Sequence, residues 1–278
     1  QAGYRPSVVR LYDAFDALLH KLEGDHDDEP EVGPSGMLGA LKGHLTERFG
    51  GVVKTGVSKV AKSLIRRALG APMLLNTLVS KVPVGVLLVV GFEGAPGVTQ
   101  AEADAAIRGL LRQGKDLGSE AGEHWFENRF SVSYKLSPMM DTGAFTDTME
   151  VSTTWDNLQN LYHSVRSAIG RHAFVMAHFS HVYTEGCSIY FTFAGFAPEG
   201  EPIEALYERT WNSALRAARS SGSSMAHHHG VGYSKAAHMS GDHRGGSPLN
   251  ALLKERFDPA GVMNPGKLWD VRQVELEQ

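Results

Sequence analysis

Residues Met225-Ala226-His227-His228-His229-Gly230-Val231-Gly232 place three imidazoles side by side and follow them with a Gly-x-Gly. Imidazole exchanges protons near neutral pH, so the run reads first as acid–base machinery or a cofactor contact. The two glycines would let the backbone come close to a flat cofactor or a phosphate. Two other readings stand beside this one. The histidines could be structural groups that pack or cap, or they could hold a metal. A metal needs several imidazoles converging on one ion. Neighbours on a strand point to opposite sides, and no cysteine or acidic residue stands nearby at ligand spacing. No metal site is therefore expected.

Three further places carry reactive side chains. Tyr183 precedes the turn Thr184-Glu185-Gly186. A phenol at a strand end can exchange a proton if its pKa is lowered, and a half-buried edge tyrosine is the structural alternative. Arg10 lies in Val8-Val9-Arg10-Leu11-Tyr12-Asp13, a cation between apolar neighbours. It is aimed at a cofactor or anionic substrate, or it pairs with Asp13 on the surface. Near the C-terminus, Asp258-Pro259 and Asn264-Pro265-Gly266-Lys267 are turn formers.

The elements that must position these groups follow from composition and periodicity. The chain has 278 residues, enough for one large domain or two ordinary ones. Its formal charge of −4 disfavours general nucleic-acid binding. The single cysteine, Cys187, excludes an internal disulfide framework and a cysteine-rich zinc module. No apolar run is long enough to suggest a membrane-spanning helix. The first residues, Gln1-Ala2-Gly3, lack an initiator Met, so the expectation is a piece of something longer.

Residues 8–22 read as a short strand or turn and a helix, and 24–36 as an acidic surface loop. Val53, Val57, Val60, Leu64 and Ala68 recur on one helical face, with Lys54, Lys62 and Arg66 on another. Such a basic amphipathic helix packs as an ordinary element or lies on an anionic membrane surface. Val84–Glu93 reads as a strand. Residues 99–117 read as a helix with Thr99 as N-cap and Glu102 closing a capping box. The stretch from Trp125 to Tyr134 reads as irregular. Phe145–Thr154, Ala173–Val182 and Cys187–Phe196 read as strands, the last two forming a hairpin. Asn157–Ile169, Pro202–Ser220 and a short stretch near Leu249–Phe257 read as helices. This order is that of an α+β fold, an antiparallel sheet with helices on one face. The expected division is 1–82, an N-terminal segment with a helical insertion or lid, 83–222, an α+β cap domain, and 223–278, a returning C-terminal segment.

In combination these motifs resemble the C-terminal part of FAD-linked oxidases of the vanillyl-alcohol oxidase type, and within them the alkyldihydroxyacetonephosphate synthase branch. The Asp-Pro…Asn-Pro-Gly-Lys ending is shared widely in the group, whereas the His227-His228-His229-Gly230-Val231-Gly232 run is specific to the synthase-like branch. The resemblance implies a ferredoxin-like cap over an FAD whose main binding domain is separate, and a homodimer in the full-length enzyme. It implies that Tyr183 is an acid/base tyrosine, that His227, His228 and His229 form a triplet required for activity, and that His228 is the base. It implies that Arg10 is needed for activity. Arg10, His227, Gly230, Asn264, Pro265, Gly266 and Lys267 would contact the cofactor, and Tyr134 and Lys135 the substrate. Where the family carries Tyr-x-Arg, its arginine holding a phosphate, this sequence reads Tyr134-Lys135-Leu136. The implied substrate is a small or lipid-like molecule. In the synthase version a fatty acid is exchanged for a fatty alcohol without net redox change. In the oxidase version an alcohol loses a proton and a hydride. The alternative is a ligand-binding or peripheral membrane module without activity of its own, touching the membrane through 53–68. The expected location is cytoplasmic, the chain ending Leu276-Glu277-Gln278 without a peroxisomal tripeptide.

Overall fold

The computed structural model describes residues 3–17, 66–81, 85–130 and 139–268. The strands are β1 (Val8–Tyr12), β2 (Leu87–Gly91), β3 (Phe145–Thr154), β4 (Phe174–Val182) and β5 (Gly186–Gly195). They form one sheet in the order β2-β1-β4-β5-β3, and every neighbouring pair is antiparallel. The helices are α1 (Pro72–Ser80), α2 (Pro96–Leu110), α3 (Glu120–Asn128), α4 (Leu158–Gly170), α5 (Ile203–Ser220), α6 (Gly232–Ala236), α7 (Met239–His243) and α8 (Ser247–Phe257). The α+β architecture expected from the element order is the one observed. The expected β1, the β4–β5 hairpin and α8 are present, and β3, α4 and α5 lie within a residue or two of their expected bounds.

Alternation sorts each strand's side chains onto two faces. On one face Met149, Val151, Val175, Ala177, Ile189, Phe191 and Phe193 are fully buried against Leu161, Val165 and Ile169 of α4 and Trp211, Ala214 and Leu215 of α5. This is the main core. The other face is apolar only at its ends. Phe174 and Ala194 meet Leu69, Phe15 and α1 at one end. Tyr12, Leu87 and Val89 meet Ala121 and Trp125 of α3 at the other. Polar side chains occupy the strip between.

Asp13 ties β1 to the core side. Its Oδ2 accepts from Arg166 Nη1 at 2.7 Å, Tyr162 Oη at 3.2 Å and the Ala177 amide at 3.0 Å. Its Oδ1 accepts the amides of Phe15 and Asp16. A buried carboxylate is tolerated when its lone pairs are filled in this way. Asp13 therefore does not pair with Arg10 on the surface. Burial, with the nearby Asp13 charge, pushes the Tyr162 hydroxyl up to about 12.

Three local expectations are corrected. The helix expected over 99–117 runs from Pro96 to Leu110, with Ala95 as N-cap. Proline fits the first helical turn because its missing N–H would be unpaired there anyway, so Thr99 lies inside the helix. Glu102 accepts from the Arg5 amide rather than closing a box. Part of the expected irregular stretch is helical, since Trp125 sits on α3. The side chain of Arg66, expected on a solvated basic face, donates from Nε to the Thr142 carbonyl at 2.9 Å and lies over the Phe196 ring. Residues 24–36, 53–65 and 134–136, with the expected acidic loop, most of the basic helix, Tyr134 and Lys135, lie outside the described residues. Among the described residues, no helix is long and apolar enough to cross a membrane.

Ile189 is completely buried in the main core. Ile189→Ala should cost about 2–5 kcal/mol, the range for removing a large aliphatic side chain and leaving a cavity, read as a lower urea midpoint with unchanged m-value. Acid should weaken the fold as well. Burial, reinforced by nearby arginines, lowers the pKa of His172 and of His238 from 6.5. The unfolded chain then binds protons first as pH falls. This contribution is present above 6.5 and is lost as pH drops below it through the folded values. Urea midpoints should fall between roughly pH 7.5 and pH 5.5, and a His172→Asn/His238→Gln variant should show a smaller fall.

Candidate functional site

The register of the sheet aligns one row of side chains across all five strands. Leu87 pairs Tyr12, Tyr12 pairs His178, His178 pairs Tyr190, and Tyr190 pairs Glu150. Opposed residues share a face, so the row crosses the polar strip and ends at Glu150. The His178 and Tyr190 rings stack at 4.9 Å with 9° between their planes. His178 also pairs with Asp16 at 3.3 Å. A β-bulge between Phe179 and His181 inserts one residue, and His181 then pairs Ser188. The extra residue keeps His181 on the polar face, next to Tyr190.

The histidine triplet is brought to Glu150 by an antiparallel bridge. Ser152 and Ser224 exchange both backbone hydrogen bonds, at 3.1 and 2.9 Å. Met225 then drops into the main core with no exposure. Asp242 of α7 accepts from the Ser224 hydroxyl and from the Met225 amide. These anchors leave residues 227–229 in a bend beside β3 rather than on a strand.

Their rings converge as a result. His227 Nδ1 lies 2.7 Å and His228 Nδ1 3.0 Å from Glu150 Oε1, and the two Nδ1 atoms are 2.8 Å apart. The His228 amide donates to Glu150 Oε2 at 3.4 Å, and His229 Nδ1 lies 3.8 Å from that oxygen. Glu150 is 1% exposed. Burial alone would raise its pKa, but the His228 amide and the two imidazoles outweigh it and hold the carboxyl below its ordinary value. Lys235 of α6 is also buried and donates to the Glu150 carbonyl at 3.1 Å. The spacing argument that the imidazoles diverge and have no acidic neighbour is therefore overturned. The bend replaces strand geometry, and the acid comes from a strand 77 residues away.

Tyr190 links this cluster to a cavity. Its hydroxyl lies 3.1 Å from His228 Nε2 and 3.3 Å from His181 Nδ1. Burial first, then the Glu150 charge, pushes the phenol up to about 12, so it stays protonated. Burial and the neighbouring His228 and His227 lower the pKa of His181. The cavity, about 270 Å³, is lined by Arg10, Trp125, His178, Ser180, His181 and Tyr190. Arg10 projects from β1 with its guanidinium 5.5 Å from the Tyr12 and Trp125 ring centres. Its Nε is buried, and no described residue accepts a hydrogen bond from it. Tyr183, just past the end of β4, is half exposed, its ring 5.4 Å from that of His227.

Of the other expected site residues, those described are Gly230 and the C-terminal turn, while Tyr134 and Lys135 lie outside the described residues. Gly230 and Gly232 adopt φ of +77° and +60°, and a Cβ on either would meet only open space. The backbone there can approach a planar group. The tail folds onto the same region, with Lys267 Nζ 3.8 Å from the centre of the Tyr233 ring. Asp258 holds the preceding turn by accepting the Val262 and Met263 amides and pairing with Lys254. Asn264 takes φ of +48° and Gly266 +70°. The structure thus gathers Arg10, Tyr183 and the triplet around one polar strip and adds Glu150, Tyr190 and His181. Sequence reasoning missed these three. The signal available was Glu150, a charged residue whose alternation with Met149 and Val151 placed it on the face opposite the core.

Residues 57–268 match the model of the family described as FAD linked oxidases, C-terminal domain. The chain belongs to this family. Its cofactor is FAD. The C-terminal domain of FAD-linked oxidases seen here is 31% identical over 191 residues to an alkyldihydroxyacetonephosphate synthase of Dictyostelium discoideum, covering 66% of this chain and 31% of that protein. It is 26% identical over 276 residues to the synthase of Trypanosoma brucei brucei, covering 96% of this chain and 40% of that one. A solved alkyldihydroxyacetonephosphate synthase shares the fold, with a TM-score of 0.53 at 20% identity over 94% of this chain and 40% of that chain. The chain therefore spans less than half the length of these relatives. The residues present fit contact with a flat cofactor ring on one side. The glycine backbone is open there, and His228 and His229 each keep part of their ring exposed.

Proposed function

We propose that this chain is the substrate-side part of an FAD-dependent enzyme of the alkyldihydroxyacetonephosphate synthase type, and that His228 is its proton acceptor. The carrying observation is the chain of contacts from the cavity through Tyr190 to His228 and on to buried Glu150. With its hydrogen on Nδ1, His228 donates to Glu150 and its Nε2 receives the Tyr190 hydroxyl. Tyr190 can then take a substrate proton on oxygen while passing its own to Nε2. The imidazolium so formed rests against the Glu150 carboxylate, whose charge stabilises it.

Arg10 supplies a positive charge at the cavity wall for an anionic part of the substrate, and its guanidinium lies near the Trp125 and Tyr12 rings. Tyr183 stands beside His227. When bound, FAD supplies the electron-accepting chemistry that side chains lack. His227, Gly230 and the turn Asn264-Pro265-Gly266-Lys267 would hold it, with the main binding surface coming from elsewhere. Synthase-type exchange of a fatty acid for a fatty alcohol is favoured over alcohol oxidation by the names of two of the relatives.

In the FAD-loaded enzyme, His228→Ala and Tyr190→Phe should each lower turnover by about 10²-fold or more, as for a positioned acid–base group, without loss of FAD. Wild-type turnover in His228→Ala rejects the role. Flavin bleaching by 2-hydroxy acids without ether-lipid product would replace the synthase reading by the oxidase one.

A further inference from the structure

We infer that Glu150, His181, His227 and His228 form a binding site for one zinc-type divalent cation. This inference does not rest on the proposed activity. Each of the four side chains offers one ligand atom, and the four atoms lie within 4.8 Å of one another. Two of the residues come from different strands and two from the bend after Ser224, so the site exists only in the folded chain.

The closest three atoms are the decisive ones. Glu150 Oε1, His227 Nδ1 and His228 Nδ1 form a triangle with edges of 2.7, 3.0 and 2.8 Å. Hydrogen bonds to the one carboxylate oxygen leave the two Nδ1 atoms facing each other at 2.8 Å. A tetrahedral cation bound at about 2.0–2.1 Å places its ligands about 3.3 Å apart. Opening the triangle by a few tenths of an ångström makes that geometry, and His181 comes in as the fourth ligand from the bulged strand. Three imidazoles and one carboxylate suit zinc better than magnesium, which takes oxygen ligands and keeps its waters. Glu150 brings the negative charge that offsets part of the ion's own. The second shell is present too, because Lys235 fixes the Glu150 backbone and Tyr190 contacts both His181 and His228.

Zinc on this site occupies lone pairs on the same imidazole that a proton would use. Where His228 is the proton acceptor proposed above, zinc binding and proton transfer through it exclude each other.

The test is calorimetric titration of Zn²⁺ into tag-free, chelator-treated protein, with Mg²⁺ as the control ion. The expected result is one zinc per chain and no magnesium binding. Glu150→Gln and His181→Ala should each weaken zinc at least about tenfold, while His163→Ala, an exposed histidine elsewhere on α4, leaves it unchanged. Zinc held equally by wild type, Glu150→Gln and His181→Ala would mean simple capture by exposed imidazoles and overturn the site, as would no binding at all. In case a variant misfolds, Co²⁺ added to the wild-type protein gives an independent reading. Intense four-coordinate visible absorption supports the site, and the weak spectrum of six-coordinate Co²⁺ rejects it. A negative metal result leaves the His228→Ala turnover result standing, so the two readings fail separately.

Discussion

A carboxylate almost wholly removed from water sets the conditions for the rest of this molecule. Glu150 sits in the middle of β3, flanked by Met149 and Val151 in the main core. An ionised group there costs several kcal/mol unless donors surround it. The strand's own amides supply none on that face, since they lie in the plane of the sheet and bond to β5 or, at Ser152, to Ser224. The donors come instead from the segment after α5, which is held against β3 by the Ser152–Ser224 bridge, by Met225 in the core and by Asp242. The histidine triplet is therefore first the answer to a buried charge. Its reactivity follows, because rings that satisfy Glu150 are rings held in fixed orientation.

The same economy shows in the two apolar ends of the polar face. If the whole face were apolar, helices would cover it as α4 and α5 cover the other side. Instead Phe174 and Ala194 at one end, and Tyr12, Leu87 and Val89 at the other, are capped by short elements. The strip between them stays open, and the cavity at Arg10 is what the covering elements leave. Asp13 secures this arrangement from the opposite side by fastening β1 to α4 through Arg166 and to β4 through the Ala177 amide. Arg10 and Tyr12 are thereby carried into line with His178 and Tyr190.

How much of this could be read from the sequence depended on the range of the interaction. Strict alternation over Phe145–Thr154, and helical spacing of Leu158, Leu161, Tyr162 and Val165, are local signals, and those elements came out where expected. The start of α2 did not, because proline's fit to a first turn outweighed a serviceable capping pattern three residues on. Trp125 looked irregular because α3 is short and turns little apolar surface inward. Asp13 was matched with its neighbour Arg10, while its true partner, Arg166, is 153 residues away. The triplet was visible at once, and family resemblance gave its importance. Glu150, Tyr190 and His181 were not visible, because register rather than spacing unites them. Two of those pairings depend on antiparallel ladders that no local pattern specifies.

The extra residue in β4 carries a consequence of its own. A strand counts in twos, and the bulge changes odd to even at that point. Everything upstream of it is phased by the core, through Val175, Ala177 and Phe179. Everything downstream is phased by the polar strip. Were the strand to run without the bulge, Ser180 would face Ser188 and His181 would face Cys187, turned into the oily layer under α4.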